Sequence, residues 1–273
     1  MAHSEGTERS VTGWPVLHVY YRIDRARWQA LPAEQRREAT AAFQEWLAGC
    51  IAEEGLQFIP IAGVAKSDFG IMAVHPELQR IQQLGQELAS TVLGTVLVPV
   101  YSFLSISEVS EYMTTAGDWA RQLIDEQKMD PASPDFARNM AGFTKRMAAY
   151  AESRVHPQLP DDFPVLCFYP MRKCRTDARN WYTLDFTERK RYMGGHATSG
   201  RRFADRVTQL ITSATGIDDW EWGVTLFSRD LKSIRDIVYE MRYDAGSAIY
   251  GEFGPFYIGL RFAPDQLAAV LRL

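Results

Sequence analysis

Cysteine is scarce in this chain of 273 residues: Cys50, Cys167 and Cys174 form no CxxC pair and show no ligand-like spacing with the five histidines. Neither a disulfide framework nor a zinc site follows from them, and a reducing cytoplasm is the expected compartment. A surplus of positive charge is also missing. Thirty Lys and Arg against 34 Asp and Glu give a net charge of −4, so the overall field recruits neither nucleic acid nor an anionic membrane. Any anionic ligand must be held by local basic residues. The most apolar stretch, Val92 to Ile106, is broken by Gly94, Pro99 and several hydroxyl residues, and it is too short to cross a bilayer as a helix. The opening MAHSEGTERS has no basic segment followed by an apolar one, so residues 1–13 are expected to be a loose, disordered tail and not a secretory signal. A Gly-rich phosphate loop, an HExxH helix and a nucleophile elbow are all absent.

What is present is globular composition, 46% hydrophobic and 23% charged, enough for one large core or two modest ones. Within it lies a repeat. WPVLHVY at 14–20 resembles FPVLCFY at 163–169, DFGI at 68–71 resembles EWGV at 221–224, and PVY at 99–101 resembles PFY at 255–257. The matches keep their order, and each is a β-branched or aromatic run bounded by Pro, Gly or Asp, which is a strand signature. In the first half, helical spacing over Pro32–Glu54 and Pro76–Ala89 falls between strands at 14–20, 56–64, 68–74 and 98–106. Pro76 is expected at the first position of its helix. In the second half, strands are expected at 165–171, 207–213, 221–227 and 256–262. The helices there are 187–200, with Thr187 as its cap, and 231–243. Each half therefore has the order βαββαβ. The fold class is α+β, two ferredoxin-like plaits in one chain, the dimeric α/β barrel type, whose sheets have faces left over that can pair. The expected division is an N-terminal half at 14–106, a helical linker at 107–162 and a C-terminal half at 163–273.

Few residues invite chemistry. In RYMGGHATSGRRF (191–203), His196 shares a helix face with Tyr192, Met193, Gly200 and Phe203. It is either a core histidine bonded to backbone or an axial ligand of a flat cofactor, since a small residue one turn away lets a macrocycle approach. Gly194 and Gly195 weaken the same helix, which implies that the helix is expendable or that something packs hard against it. Cys167, Tyr169, Met171 and Lys173 alternate onto one strand face. The phenol is either an amphipathic core aromatic, with Lys173 beyond the strand end, or a redox-active group beside a cation that holds a carboxylate. Gln209 is one amide on an apolar face, lining a pocket or bonding a neighbouring backbone. Arg242 ends a helix, where a basic residue complements the dipole.

The runs FYPMRKCRTDARNWYTL, ERKRYMGGHATSGRRFADRVTQLIT, GIDDWEWGVTLFS and YEMRYDAGSAIYGEFGPFYIG, with KSDFGIMAVHPEL in the first half, resemble the chlorite dismutase-like superfamily, and most closely its coproheme decarboxylase branch. The resemblance covers Trp14 to Phe262. It implies a cytoplasmic enzyme of haem biosynthesis that uses hydrogen peroxide to decarboxylate two propionates of iron coproporphyrin III (coproheme), giving haem b, the macrocycle being both substrate and redox cofactor. It also implies a homopentamer, with a ferrochelatase upstream as a partner. Position by position, His196 matches the axial ligand and Tyr169 the radical-forming tyrosine. Lys173 and Met171 match residues beside the reactive propionates, Gln209 the distal glutamine and Trp181 an aromatic near the porphyrin. Arg242, Ser247 and Arg154 match propionate contacts. Chlorite dismutases carry a distal arginine where Gln209 stands, which disfavours chlorite conversion. The alternatives are a chlorite dismutase or dye-type peroxidase, and a non-catalytic haem carrier that would not need Tyr169 and Lys173. Gly194 and Gly195 have no counterpart in the family pattern.

Overall fold

The computed structural model describes residues 13–273; the expected tail lies, but for Gly13, outside the described residues. The first half runs β1 (Pro15–Ile23), α1 (Arg25–Ala30), α2 (Ala33–Ala52), β2 (Gln57–Val64), β3 (Phe69–Val74), α3 (Leu78–Ser90) and β4 (Leu97–Ser107). Two helices follow, α4 (Ala116–Asp125) and α5 (Pro134–Val155). The second half is β5 (Val165–Lys173), α6 (Phe186–Arg201), β6 (Val207–Ser213), β7 (Trp222–Ser228), α7 (Leu231–Met241), α8 (Ala245–Tyr250), β8 (Gly251–Phe253), β9 (Tyr257–Arg261) and α9 (Leu267–Leu271). The duplicated βαββαβ order is present, with α1, α8, α9 and β8 as additions.

The sheets meet at their edges. Strand order is β7-β6-β4-β1-β3-β2-β9-β5-β8, and β5 also pairs with β7, which closes a barrel of antiparallel strands with β8 beside β5. One seam joins Ile61–Val64 to Ile258–Arg261; the other is only Ile106 and Ser107 against Ser213 and Thr212. Edge joining leaves the sheets fewer open edges, while their leftover faces line a shared interior, with Val16, Tyr20, Ile59, Phe103, Phe168 and Phe227 among its buried residues. Rings stack there, Tyr20 on Tyr257 at 4.5 Å and His18 on Phe168 at 4.1 Å. His18 bonds Thr225 Oγ1 at 2.8 Å, and burial pushes its imidazole down to about 3, so it is a neutral core group. The helices cover the outer faces. Phe43, Leu47, Leu84 and Leu88 pack on the first sheet, and Ile234, Ile237 and Met241 on the second.

Several local expectations are corrected. Pro76 lies before the Glu77 cap of α3, not inside its first turn. The cap of α6 is Asp185, whose carboxylate accepts from Glu188 N–H at 2.8 Å; Thr187 lies inside the helix. β5 runs through Lys173, because Arg172 and Lys173 find partners in β8. α7 stops at Met241 with Arg242 as its C-cap.

Candidate functional site

His196 and Gly200 lie one turn apart on α6, on the face toward the second sheet. Gly200 is buried, and a Cβ there would lie 3.2 Å from Gln209 Nε2 and 3.5 Å from Met241 Cε, so the amide approaches the helix where it is bare. Gly194 and Gly195 are different. Both are exposed, with nothing within 4 Å of an added Cβ, so no close protein packing calls for them. Gly195→Ala is expected to stabilise the ligand-free protein by about 0.8–1.0 kcal/mol, as the helix propensities differ; urea unfolding checks this.

The imidazole is oriented by a carboxylate. His196 Nδ1 is 2.9 Å from Asp244 Oδ2, and the Ser247 hydroxyl is 3.2 Å from the same nitrogen. An ionised carboxylate only accepts, so Nδ1 carries the hydrogen and donates it; in the neutral ring that tautomer puts the lone pair on Nε2. Burial pushes the Asp244 carboxyl up, but hydrogen bonds from His196 and from Ser247 N–H outweigh it and hold the group below the usual carboxylate range. Asp244 also caps α8, so one side chain fixes that turn and the ring. Asp244 lies in the quoted EMRYD segment, yet no role is expected for it from sequence, because its contact arises only when α8 folds back against α6. Ser247, expected at a propionate, is buried and has its hydroxyl beside the imidazole.

Tyr169, Met171 and Lys173 do share the outer face of β5. Tyr169 is buried against Phe256, ring centroids 4.4 Å apart, and burial pushes its phenol well above the ordinary range. Lys173 is inside the strand and 6% exposed. Its Nζ lies 4.4 Å from the ring centroid of the buried Trp181. Burial lowers the ammonium to about 8, while the Asp244 and Glu221 carboxylates pull the other way. Glu221, for which the sequence suggests no role, accepts from Lys173 N–H at 2.8 Å and pairs with Arg175. Between its ordinary value of 10.5 and about 8, Lys173 is protonated in the unfolded chain and not in the folded one, so its contribution to stability rises with pH. Wild type is therefore expected to gain stability relative to Lys173→Met from pH 8 to pH 10.5. Urea midpoints at the two pH values measure this, and a difference that stays flat contradicts the burial of a titrating ammonium.

The other expected cations differ in what they contact. Arg154 directs both terminal nitrogens to main-chain oxygens of β6. Arg242 is exposed, and its side chain has no hydrogen-bond or ion-pair partner among the described residues. Helix α4 is tied to α6 through Lys190 and Asp118, and Arg189 bonds the Tyr112 hydroxyl at 3.2 Å. No group of three or more His, Cys, Asp or Glu able to hold a metal ion exists among the described residues. A bare ion would find too few ligands. A metal that brings its own equatorial nitrogens needs only the one lone pair that His196 offers.

The closed barrel of two plaits, with the Asp244-backed imidazole of His196 on its second half, defines a dimeric α/β-barrel protein. The sequence profile described as chlorite dismutase matches residues 21–262, and the chain belongs to that family. A candidate heme-binding protein of Natronomonas pharaonis is 36% identical over 97% of this chain, which spans 41% of that relative's length. Among solved structures, one described as a novel heme-binding protein from Thermus thermophilus is 32% identical, with a TM-score of 0.78 and 96% of each chain covered. A variant of chlorite dismutase from Candidatus Nitrospira defluvii shares the fold at 17% identity, with a TM-score of 0.71 and 97% of each chain covered. No helix among the described residues is long and apolar enough to cross a membrane.

Proposed function

We propose that this chain binds iron coproporphyrin III through His196 Nε2 and, with hydrogen peroxide, converts two of its propionates to vinyl groups, yielding haem b. The observation that carries the reading is the pairing of Tyr169 with Lys173 on one buried strand face, beside the network that holds His196. A carrier needs the imidazole but neither of the other two. When bound, the iron macrocycle supplies the means of passing electrons to peroxide. Each propionate gives up carbon dioxide, one proton and two electrons, and one peroxide takes up two protons and two electrons to become two waters.

The chain's own residues set register and hydrogen movement. Tyr169 holds its phenolic hydrogen firmly at neutral pH, because burial disfavours the phenolate. Its oxidation must therefore move the hydrogen with the electron, and the resulting phenoxyl can take a hydrogen atom from a neighbouring methylene group. Lys173 places a cation near a carboxylate, where a charge-assisted bond fixes orientation. Gln209 offers a neutral amide that positions peroxide by hydrogen bonding. Arg242 keeps a free guanidinium, suited to bidentate binding of a propionate.

The test is to mix the purified protein with iron coproporphyrin III, titrate with peroxide and weigh the tetrapyrrole. Sequential loss of two carboxyl groups is expected; binding without mass loss defeats the decarboxylase reading. In the same assay Arg242→Ala is expected to weaken porphyrin binding by about 10- to 100-fold, from a lost charge-assisted contact of roughly 1.5–3 kcal/mol. Unchanged affinity with an unchanged product pattern removes Arg242 from the site.

A further inference from the structure

The barrel leaves one edge of β6 half covered. β6 pairs with β7 over its whole length, from Val207 opposite Ser228 to Ser213 opposite Trp222. With β4 it pairs only at Thr212 and Ser213. Over residues 207–211 no strand among the described residues takes the main-chain groups of the second edge. Arg154, in the last turn of α5, stands in that place: Nη1 donates to Gln209 O at 3.3 Å and Nη2 to Ile211 O at 3.1 Å. Residues two apart face the same edge, so one planar guanidinium serves the two carbonyls that a neighbouring strand would have served. An open cavity of about 790 Å3, lined in part by Trp14, Arg154, His156, Thr208 and Gln209, lies against this edge, so water would take the carbonyls if the guanidinium left.

Gln209 is also the residue whose side chain faces α6. Its Nε2 would lie 3.2 Å from a Cβ on Gly200, one turn from His196. We infer that Arg154 is a positioning residue, bracing the main chain of β6 so that the Gln209 amide is held against the helix face that carries His196. The inference rests on the porphyrin reading above, but it gives Arg154 a different task from the propionate contact expected from sequence. Both of its terminal nitrogens are engaged by main-chain oxygens, and a lysine ammonium cannot span the two.

Two measurements test it. In the ligand-free chain, amide hydrogen exchange over 207–213 is expected to accelerate about tenfold or more in Arg154→Ala and by less in Arg154→Lys, with the rest of the barrel unchanged. In protein loaded with ferrous iron coproporphyrin and carbon monoxide, the C–O stretching frequency reports the hydrogen bond from the Gln209 amide. Gln209→Ala sets the frequency without that bond. Arg154→Ala is expected to shift toward it, Arg154→Lys part of the way, and Arg154→Ala added to Gln209→Ala no further. An unchanged frequency in Arg154→Ala with weakened porphyrin affinity assigns Arg154 to a propionate and overturns the inference, as does unchanged exchange over 207–213. Should Arg154→Ala not fold, Arg154→Lys carries both comparisons. If wild type takes up no porphyrin, the functional reading falls, and exchange in the ligand-free chain still decides the brace.

Discussion

Tyr169→Phe is expected to fold, to bind iron coproporphyrin III with affinity near wild type, and to form neither vinyl group when peroxide is added. The ring is buried and stacked on Phe256 at 4.4 Å, and phenylalanine keeps both the volume and the stack. Only the O–H is lost, and with it the phenolic hydrogen that the proposed radical step removes; Met171 and Lys173 carry no such group. Gln209→Ala marks the contrast, because an amide orients peroxide but stores no oxidising equivalent; slow, complete turnover is expected there. Single-turnover peroxide titration with mass analysis of the porphyrin reads both variants. Haem b from Tyr169→Phe in wild-type yield would refute the radical role. A folded, loaded Gln209→Ala without any turnover would move the essential chemistry to the amide.

The second large effect concerns the ring that Asp244 holds. His196→Ala should abolish the iron–imidazole band in resonance Raman spectra of the loaded protein, because no second imidazole stands on this helix face. Asp244→Asn should keep the band but lower its frequency and weaken porphyrin retention by about 10- to 100-fold, the usual consequence of changing the group behind a metal-binding histidine. The cause is electrostatic: an ionised carboxylate accepting the Nδ1 hydrogen at 2.9 Å makes Nε2 a stronger donor than a neutral amide would. A band that persists unchanged in His196→Ala places the ligand elsewhere. An Asp244→Asn protein with wild-type frequency and retention shows the hydrogen bond to be without influence on Nε2.

The plaits were legible because each strand and helix carries its own local pattern, such as the apolar spacing of Phe43 and Leu47 or the β-branched run of Val207 to Ser213. The barrel type was legible too, but not which strand edges close it, because Ile61 and Arg261 become neighbours only through the whole chain and nothing in either segment names the other. The site divides in the same way. His196, Tyr169 and Lys173 stand in segments whose spacing and family resemblance single them out. Asp244 carries no role in the sequence, and its contact with the imidazole appears only when α8 meets α6. Arg154 was legible as a cation but not as a partner of Gln209 O and Ile211 O, because an unpaired strand edge is a property of the assembled sheet.

The β2–β9 seam has a consequence in time. Its two strands lie near opposite ends of the chain, so a growing polypeptide emerging from the ribosome has β2 long before β9 exists to pair with it. Contacts of such sequence separation form late and slowly. Asp244 and Ser247, which hold the imidazole, are also synthesised after His196 itself. A nascent chain that has reached His196 but not β9 therefore holds the imidazole without its carboxylate and without a closed barrel, and the site becomes complete only once α8 and β9 have been made.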